Sequence, residues 1–419
     1  MNPAIEKLVA AASGLANRGQ WHEAEKAWKE VHRLAPDNPR ASFALGVHAY
    51  QRGDLREARH WLEQTVANVP SDMLGQLTLA AVCRAQGELE PERRAIEAAL
   101  VIDPYNLPAM LCKADWFDRA GDAVAASAMY RNALKVAPSP THWPESLRSQ
   151  LERGRDIVER HTNLLGTYLR DVLAPLQAAL PVHSQSQWRE ATDLLAGRST
   201  PFTAQSNQLH IPRLPAIPFY EREQFPELAA LEAQTEVIRD ELLTLLAEHQ
   251  QAFTPYISYA PGQPVNQWVE LNHSSRWNAF HLWRGGEAVA ENLERCPRTA
   301  QILAGMQLAN ISGLCPNVLF SALAPGTRIP PHHGETNARL VAHLPRVVPD
   351  GCRLRVGYEE RSWTVGETLI FDDTLEHEAS NDSEALRVVL IFDLWNPLLS
   401  QQDRQMVQAM TTAMRDFHP

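Results

Sequence analysis

Four glycines, Gly19, Gly53, Gly87 and Gly121, stand 34 residues apart, and so do four prolines, Pro36, Pro70, Pro104 and Pro138. Two residue types that keep one period together restrict the first third of the chain to a repeated unit of two helices. Between each glycine and its proline lies an amphipathic segment, such as WHEAEKAWKEVHRLAP or DLREARHWLEQTVANVP; before each glycine lies another, such as RASFALGVHAYQRG. Five positions after the glycine come Ala24, Ala58 and Ala126, with Glu92 as the exception, and nine positions after it come Trp28, Leu62, Ile96 and Tyr130. The glycine ends the first helix in a turn that needs a permissive backbone. The small residue lets two helices approach, the large one fills the groove between them, and the proline stops the second helix.

This pattern resembles the tetratricopeptide repeat over residues 1–140, as about four repeats, the first short of a full first helix. The resemblance implies a curved α-solenoid whose concave face docks a peptide or protein; a structural spacer or a dimerisation surface is the other reading. A chain of 419 residues is too long for one core, so two or three domains are expected. The net charge of -11 argues against a general nucleic-acid binder, which needs a basic face. The N-terminus has no basic start before an apolar core, and no run approaches the ~20 apolar residues of a membrane span. Cys83, Cys112, Cys296, Cys315 and Cys352 form no CxxC pair and read as reduced packing residues of a cytoplasmic protein.

Residues 141–214 read as a helical stretch followed by a proline-rich linker. Glu152 and Arg153 belong to a solvated helix face, and PFTAQSNQLHIPRLPAIPFYEREQFPEL is expected to lie across a neighbouring surface, because Leu214, Ile217, Phe219 and Tyr220 are too apolar to float free. LAALEAQTEVIRDELLTLLAEH returns to helix. Beyond Pro316 the hydrophobic period changes to two, in NVLFSAL, ARLVAHLPRVV, CRLRVGYEERSWTVG, ETLIFDDTLEHEASN and LRVVLIFDLWNP. The expectation is an α+β multidomain chain: the solenoid, a small double-sheet barrel or jelly roll over 215–400, and a C-terminal helix over 401–419.

The chemistry gathers in PPHHGETNARLVAHL. His332 and His333 stand before a strand, His377 follows 45 residues after His332 in FDDTLEHE, and Arg387 comes ten residues later. An iron site for oxygen chemistry keeps coordination positions open and usually uses two histidines and one carboxylate. An arginine then grips the far carboxylate of 2-oxoglutarate with its planar fork. Histidine, a long gap, histidine and an arginine on the last strand is the order such a site requires. Arg387 leads the apolar strand VVLIF, where an unpaired charge is costly, which favours a bound carboxylate. Two residues after His332 stands Gly334, where the common pattern has an acid. Asp393 and Trp395 read as closing the last strand. Trp283, in HLWRGGE, either packs the core or lines the substrate entrance.

PPHHGETNARLVAHL, IFDDTLEHE and LRVVLIFDLWNP resemble the motifs of the aspartyl/asparaginyl β-hydroxylases, a branch of the Fe(II)- and 2-oxoglutarate-dependent oxygenases, over about residues 215–398. Members of that branch often carry tetratricopeptide repeats ahead of the oxygenase. The resemblance implies a double-stranded β-helix (jelly-roll, cupin-like) domain that uses Fe(II), 2-oxoglutarate and O2. His332 and His377 match the two iron ligands, and Arg387 matches the arginine that binds the distal carboxylate of 2-oxoglutarate. Ser321, in LFSALAPGT, matches a serine that assists it, His343 a histidine that contacts the cosubstrate, and Arg339 an arginine nearby. At Val341 the chain departs from the animal enzymes, which have a second arginine there. Residues 339, 341 and 343 share one strand face, which places Arg339 to compensate.

Gly334 agrees with the family, which binds iron with two histidines and leaves the remaining position to water. Partners of the ligands then gain importance, with Asp372 and Asp373 as candidates. His333 falls on a non-ligand position; it serves the surroundings of the metal or the substrate, or it replaces His332 as ligand. An open glycine position also holds chloride in iron halogenases, but the surrounding motifs fit hydroxylases. The implied reaction is hydroxylation of an unactivated C–H in an aspartyl or asparaginyl residue of a peptide or protein held by the repeats. The rivals are a free amino acid, another small molecule or a lipid acyl chain as substrate, and a non-catalytic scaffold.

Overall fold

The computed structural model describes residues 3–417, and the chain divides into two compact units, Met1–Ser199 and Thr200–Pro419. In the first unit eight helices form four antiparallel pairs: α1 (Pro3–Asn17), α2 (Trp21–Leu34), α3 (Pro39–Gln51), α4 (Leu55–Asn68), α5 (Met73–Ala85), α6 (Leu89–Ile102), α7 (Leu107–Arg119) and α8 (Ala123–Val136). Gly19, Gly53, Gly87 and Gly121 all hold φ between 73° and 83°, the left-handed turn that the period demands. Ala24, Ala58 and Ala126 are fully buried, and the large residues Trp28, Leu62 and Tyr130, one turn later on the same helices, are buried too. The exception, Glu92, is buried as well; its charge is met by Arg119 on the next repeat. The second helices of two repeats start on aspartates: Asp54 and Asp122 accept from the backbone N–H of Glu57 and Ala125 at 3.0 and 2.9 Å.

The first repeat is complete, contrary to the sequence expectation. Its alanine-rich α1 is 15 residues long and buries Val9 and Ala12 against Trp28 and Val31. The array also continues past residue 140. A 34-residue helix, α9 (Glu145–Ala178), packs on α8, and α10 (Val182–Ala196) packs on α9. Gly154 makes the first contact close: a Cβ there would stand 2.6 Å from Cδ1 of Tyr130. The stretch 141–214 is therefore no single linker. Its helices belong to the first unit and its proline-rich part to the second.

The second unit contains twelve strands: β1 (Phe219–Tyr220), β2 (Thr254–Pro255), β3 (Trp277–Arg284), β4 (Glu287–Ala288), β5 (Val318–Leu323), β6 (Thr327–His332), β7 (Arg339–Val347), β8 (Cys352–Val356), β9 (Glu359–Arg361), β10 (Leu369–Phe371), β11 (His377–Asn381) and β12 (Arg387–Trp395). They form two antiparallel sheets. The larger runs β1-β10-β7-β12-β5-β3-β2 with β4 beside β3, and the smaller runs β6-β11-β8-β9. The helices of this unit are α11 (Leu228–Glu232), α12 (Thr235–Glu248), α13 (Ala290–Arg295), α14 (Pro297–Ala304) and α15 (Gln401–Arg415). The C-terminal helix expected over 401–419 is α15; residues 418 and 419 lie outside the described residues, as do residues 1 and 2.

Strand alternation sorts the larger sheet into two faces. Leu340, Ala342 and Leu344 of β7 and Leu390 and Phe392 of β12 join Leu242 and Leu245 of α12 in one core. Val341 and Val389, on the opposite face, join Leu354, Val356, Leu375 and Ala379 in a second core between the sheets. Phe219 and Tyr220 are buried as β1, pairing with β10, and Leu214 packs beside α15, so this apolar stretch lies on a surface as expected.

Candidate active site

β6 ends at His332, β11 begins at His377, and the two are register partners with ring centroids 4.0 Å apart. Nδ1 of His332 lies 2.8 Å from the carbonyl of Pro330, and Nδ1 of His377 lies 3.1 Å from that of Leu375. A carbonyl only accepts, so each ring carries its proton on Nδ1 and offers a lone pair at Nε2. Burial keeps both imidazoles neutral by lowering their pKa, that of His377 well below the ordinary value. The register pairs His332, not His333, with His377. Nδ1 of His333 is turned to the carbonyl of Thr374 at 2.9 Å. No cluster of three or more His, Cys, Asp or Glu side chains with metal-binding spacing occurs among the described residues.

The place of the expected acid is filled from another element. A Cβ at Gly334 would stand 1.9 Å from Oδ2 of Asp373, so that carboxylate occupies the room of a side chain at position 334. Asp373 Oδ1 is 2.6 Å from Nη1 of Arg339, whose Nε is 3.2 Å from Oδ1 of Asp393. Burial opposes the charge of Arg339, but the two carboxylates outweigh it and hold its pKa well above the usual value. Arg339 thus pairs with two acids while it lines the same cavity as His332 and His377. Asp393 is fixed in turn by the backbone N–H and side-chain amide of Asn317, at 2.6 and 3.1 Å. Of the two candidate acids, Asp373 lines the cavity; Asp372 instead ties its own turn, accepting from the N–H and hydroxyl of Thr374 at 2.9 and 2.6 Å.

Arg387 is the deepest charge in the site. It is 1% exposed, and its Nε and Nη1 have no hydrogen-bond partner among the described residues. Its guanidinium lies 4.9 Å from the ring of Trp363, and burial pulls its pKa down to about 10. Trp363 Nε1 donates to Nδ1 of His343 at 3.3 Å, which leaves the proton of that neutral ring on Nε2. Ser321 Oγ accepts from Trp277 Nε1 at 3.0 Å and so retains its own hydrogen to give. Register sets these groups on one face: Ser321 lies opposite Val389, His343 opposite Ile391, and Arg387 opens the same strand. All project into one cavity of about 400 Å³ that also holds His332, His333 and His377.

Trp283 is not among the cavity residues. It packs against the helix-covered core, because a bulge between His281 and Trp283 turns it from the site. The aromatic wall is built instead by residues that the motifs do not mark. Trp268 sets its edge 4.9 Å from the ring of His332, and Tyr256 stacks on Trp277 at 3.9 Å. Their only trace in the sequence is a concentration of aromatics between residues 256 and 277.

Residues 232–397 match the aspartyl/asparaginyl beta-hydroxylase family, and residues 9–72 and 48–106 match the tetratricopeptide repeat. The human aspartyl/asparaginyl beta-hydroxylase is 26% identical over 440 residues, covering 97% of this chain and 55% of that protein. The human aspartate beta-hydroxylase domain-containing protein 2 is 32% identical over 49% of this chain and 55% of its own length. This chain thus spans about half the length of these human relatives. An ornithine lipid ester-linked acyl 2-hydroxylase of Rhizobium tropici is 33% identical over 245 residues, 54% of this chain and 83% of that protein. With motifs, repeats and relatives in agreement, the chain belongs to the aspartyl/asparaginyl beta-hydroxylase family, in a form with tetratricopeptide repeats ahead of the hydroxylase domain.

Proposed function

We propose that the second unit is a double-stranded β-helix oxygenase that uses Fe(II), 2-oxoglutarate and O2 to hydroxylate an unactivated C–H, the β-carbon of an aspartyl or asparaginyl residue in a peptide or protein. One observation carries the reading: a buried guanidinium with two unpartnered donors shares a cavity with two neutral imidazoles that offer Nε2 lone pairs. An uncompensated buried charge destabilises a fold unless an anion meets it, and paired imidazoles of this tautomer suit a divalent metal. Successive strands β5, β6, β7 and β8 alternate between the sheets, as do β10, β11 and β12, which supports a jelly roll.

His332 and His377 would hold the iron, each ring fixed by its backbone carbonyl. Arg387 would take the distal carboxylate of 2-oxoglutarate as a planar fork, with the Ser321 hydroxyl and the Nε2–H of His343 as further donors. Bound together, iron, 2-oxoglutarate and O2 supply an oxidant that removes hydrogen from such a carbon and returns a hydroxyl, 2-oxoglutarate leaving as succinate and CO2. Asp373, held by Arg339 in the room beside Gly334, would be the carboxylate available to accept a hydrogen bond from a ligand of the iron. Trp268, Trp277 and Tyr256 line the cavity and would limit the access of bulk water to it.

A polypeptide substrate is supported by the repeats and by the named activity of the human relative. The named activity of the Rhizobium relative favours a second reading, hydroxylation of an acyl chain next to its ester carbonyl. The deciding experiment follows Fe(II)-dependent conversion of 2-oxoglutarate to succinate by the wild type and His377→Ala. It is run with Asp- and Asn-containing peptides, free aspartate, and an ester-linked acyl ornithine lipid. Stimulation by peptide together with gain of one oxygen atom on Asp or Asn supports the reading, and stimulation by the lipid alone replaces it with the second. If neither protein turns over or binds 2-oxoglutarate, the chain is a scaffold.

A further inference from the structure

Between Thr200 and β1 the chain has no regular secondary structure and lies outside the residues matched to the hydroxylase family, yet it is fastened to both histidine-bearing turns. Gln205 N donates to the carbonyl of Thr374 at 2.7 Å, in the turn that leads to His377. Asn207 N donates to the carbonyl of Gly334 at 2.9 Å, and its side-chain Nδ2 donates to that of His333 at 2.7 Å, in the turn that follows His332. The N–H groups of Gln208 and Leu209 both reach the carbonyl of Glu335, at 3.0 and 3.1 Å. The two turns are joined to each other beneath this segment. Gly334 N donates to the carbonyl of Asp373 at 2.7 Å, and His333 Nδ1 lies 2.9 Å from that of Thr374. The segment is anchored at both ends, by Phe202 under the Arg355 guanidinium at 5.7 Å and by reciprocal hydrogen bonds between Ile211 and the Asn337 side chain at 2.8 and 2.9 Å.

The sheet pairs His377 with Val356 of β8 in an unbroken ladder, but it holds His332, and the contact between the two histidines, loosely. β6 is an edge strand, it carries Pro330 and Pro331, and its ladder with β11 shifts register directly after His377. Past His332 no strand pairs with the chain until β7, and in that gap the segment supplies the missing neighbour. We infer that residues 202–211 are a working part of the metal site, a strap that sets the two imidazoles against each other, with Asn207 as its main positioning residue. The inference rests on the iron reading above. A site with only two protein ligands has little coordination geometry of its own to enforce ring placement, so hydrogen bonds behind the ligands must do so.

The test uses the full chain and Co(II) as the probe. Asn207→Asp keeps the size of the side chain but removes its N–H and sets an acceptor against the His333 carbonyl. Gln205→Pro removes the N–H that reaches Thr374. Ser206→Ala is the control, since the Ser206 hydroxyl meets His210 within the strap at 3.0 Å. Co(II) affinity and visible absorption are measured for each, beside melting of the metal-free protein. The expected result is a Kd about 10-fold higher and an altered Co(II) spectrum in Asn207→Asp and Gln205→Pro, at an unchanged metal-free melting temperature, with Ser206→Ala like the wild type. Unchanged affinity and spectrum in both variants, or affinity that falls only in step with metal-free melting, overturns the inference. Absence of Co(II) binding by the wild type overturns the iron reading, and this inference with it.

Discussion

Arg387 carries a charge into a buried place where its Nε and Nη1 meet no partner among the described residues, which costs the fold stability. Replacing it with methionine keeps a long apolar stem beside Trp363 and removes the charge. The expected outcome is a protein that melts higher than wild type when no 2-oxoglutarate is present, by about 1–4 kcal/mol of added stability, and that no longer gains stability when 2-oxoglutarate is added. Thermal shifts with and without the cosubstrate check both halves; a lower melting temperature for the ligand-free variant would show that the guanidinium is satisfied within the fold. Asp372 offers a pH test beside the site. Burial raises its pKa to about 6, against the hydrogen bonds from Thr374. A carboxyl raised above its unfolded value favours the fold while protonated, and that contribution is lost as pH rises from about 4 through 6. Asp372→Asn keeps an acceptor for Thr374 without the charge, so its stability relative to wild type should rise over that window by up to about 3 kcal/mol. Denaturation at pH 4 and pH 7 measures it, and a difference that stays flat refutes the assignment.

Among the elements, the two turns that follow β6 and β10 fit together so closely that one supplies what the other lacks. Asp373 fills the room above Gly334, and Arg339 and Asp393 hold it there. Gly334→Asp, which writes the common histidine-x-acid pattern into the chain, should therefore not build a three-ligand site. The new Cβ meets a carboxylate, the new charge stands beside Asp373, and the fold loses about 1–3 kcal/mol while Co(II) binds more weakly than to wild type. Tighter binding would show that Asp373 yields its place. This arrangement was only half legible beforehand. His332, His377 and Arg387 announce themselves because the proposed metal and carboxylate recognition would demand particular side chains at the ends of particular strands. The repeats do so because glycine, alanine and proline each perform one backbone or packing task at a fixed position. Asp373 beside Gly334, Arg339 bound by two acids, and Trp283 turned to the core are products of tertiary approach and of one bulge, for which local spacing carries no signal. The strap escapes for another reason: four of the six hydrogen bonds that Gln205, Asn207, Gln208 and Leu209 send to the turns come from backbone N–H groups, which every residue but proline has.

For the whole molecule, the functional boundary follows hydrogen bonds rather than sequence similarity. The hydroxylase family match begins at residue 232 and the proline-rich stretch reads as a linker up to 214, but the compact second unit begins at Thr200. The backbone donors that the strap sends to the histidine-bearing turns lie between these limits, at Gln205, Asn207, Gln208, Leu209 and Ile211. A fragment of residues 200–419 should therefore bind Co(II) and 2-oxoglutarate with the affinity of the full chain. A fragment of residues 215–419 keeps all twelve strands and every side chain assigned to iron and cosubstrate, yet should bind Co(II) about 10-fold more weakly, because the turns after His332 and before His377 lose their outer neighbour. Its 2-oxoglutarate affinity, read in the absence of metal by melting, should fall far less, since Arg387, Ser321 and His343 project from the larger sheet, whose pairing the strap does not touch. Equal Co(II) affinity in the two fragments would return the boundary to the linker. Equal loss of both ligands would mean that the shorter fragment has lost its fold as a whole. Loss of metal affinity alone is the outcome that a strap acting on two turns requires.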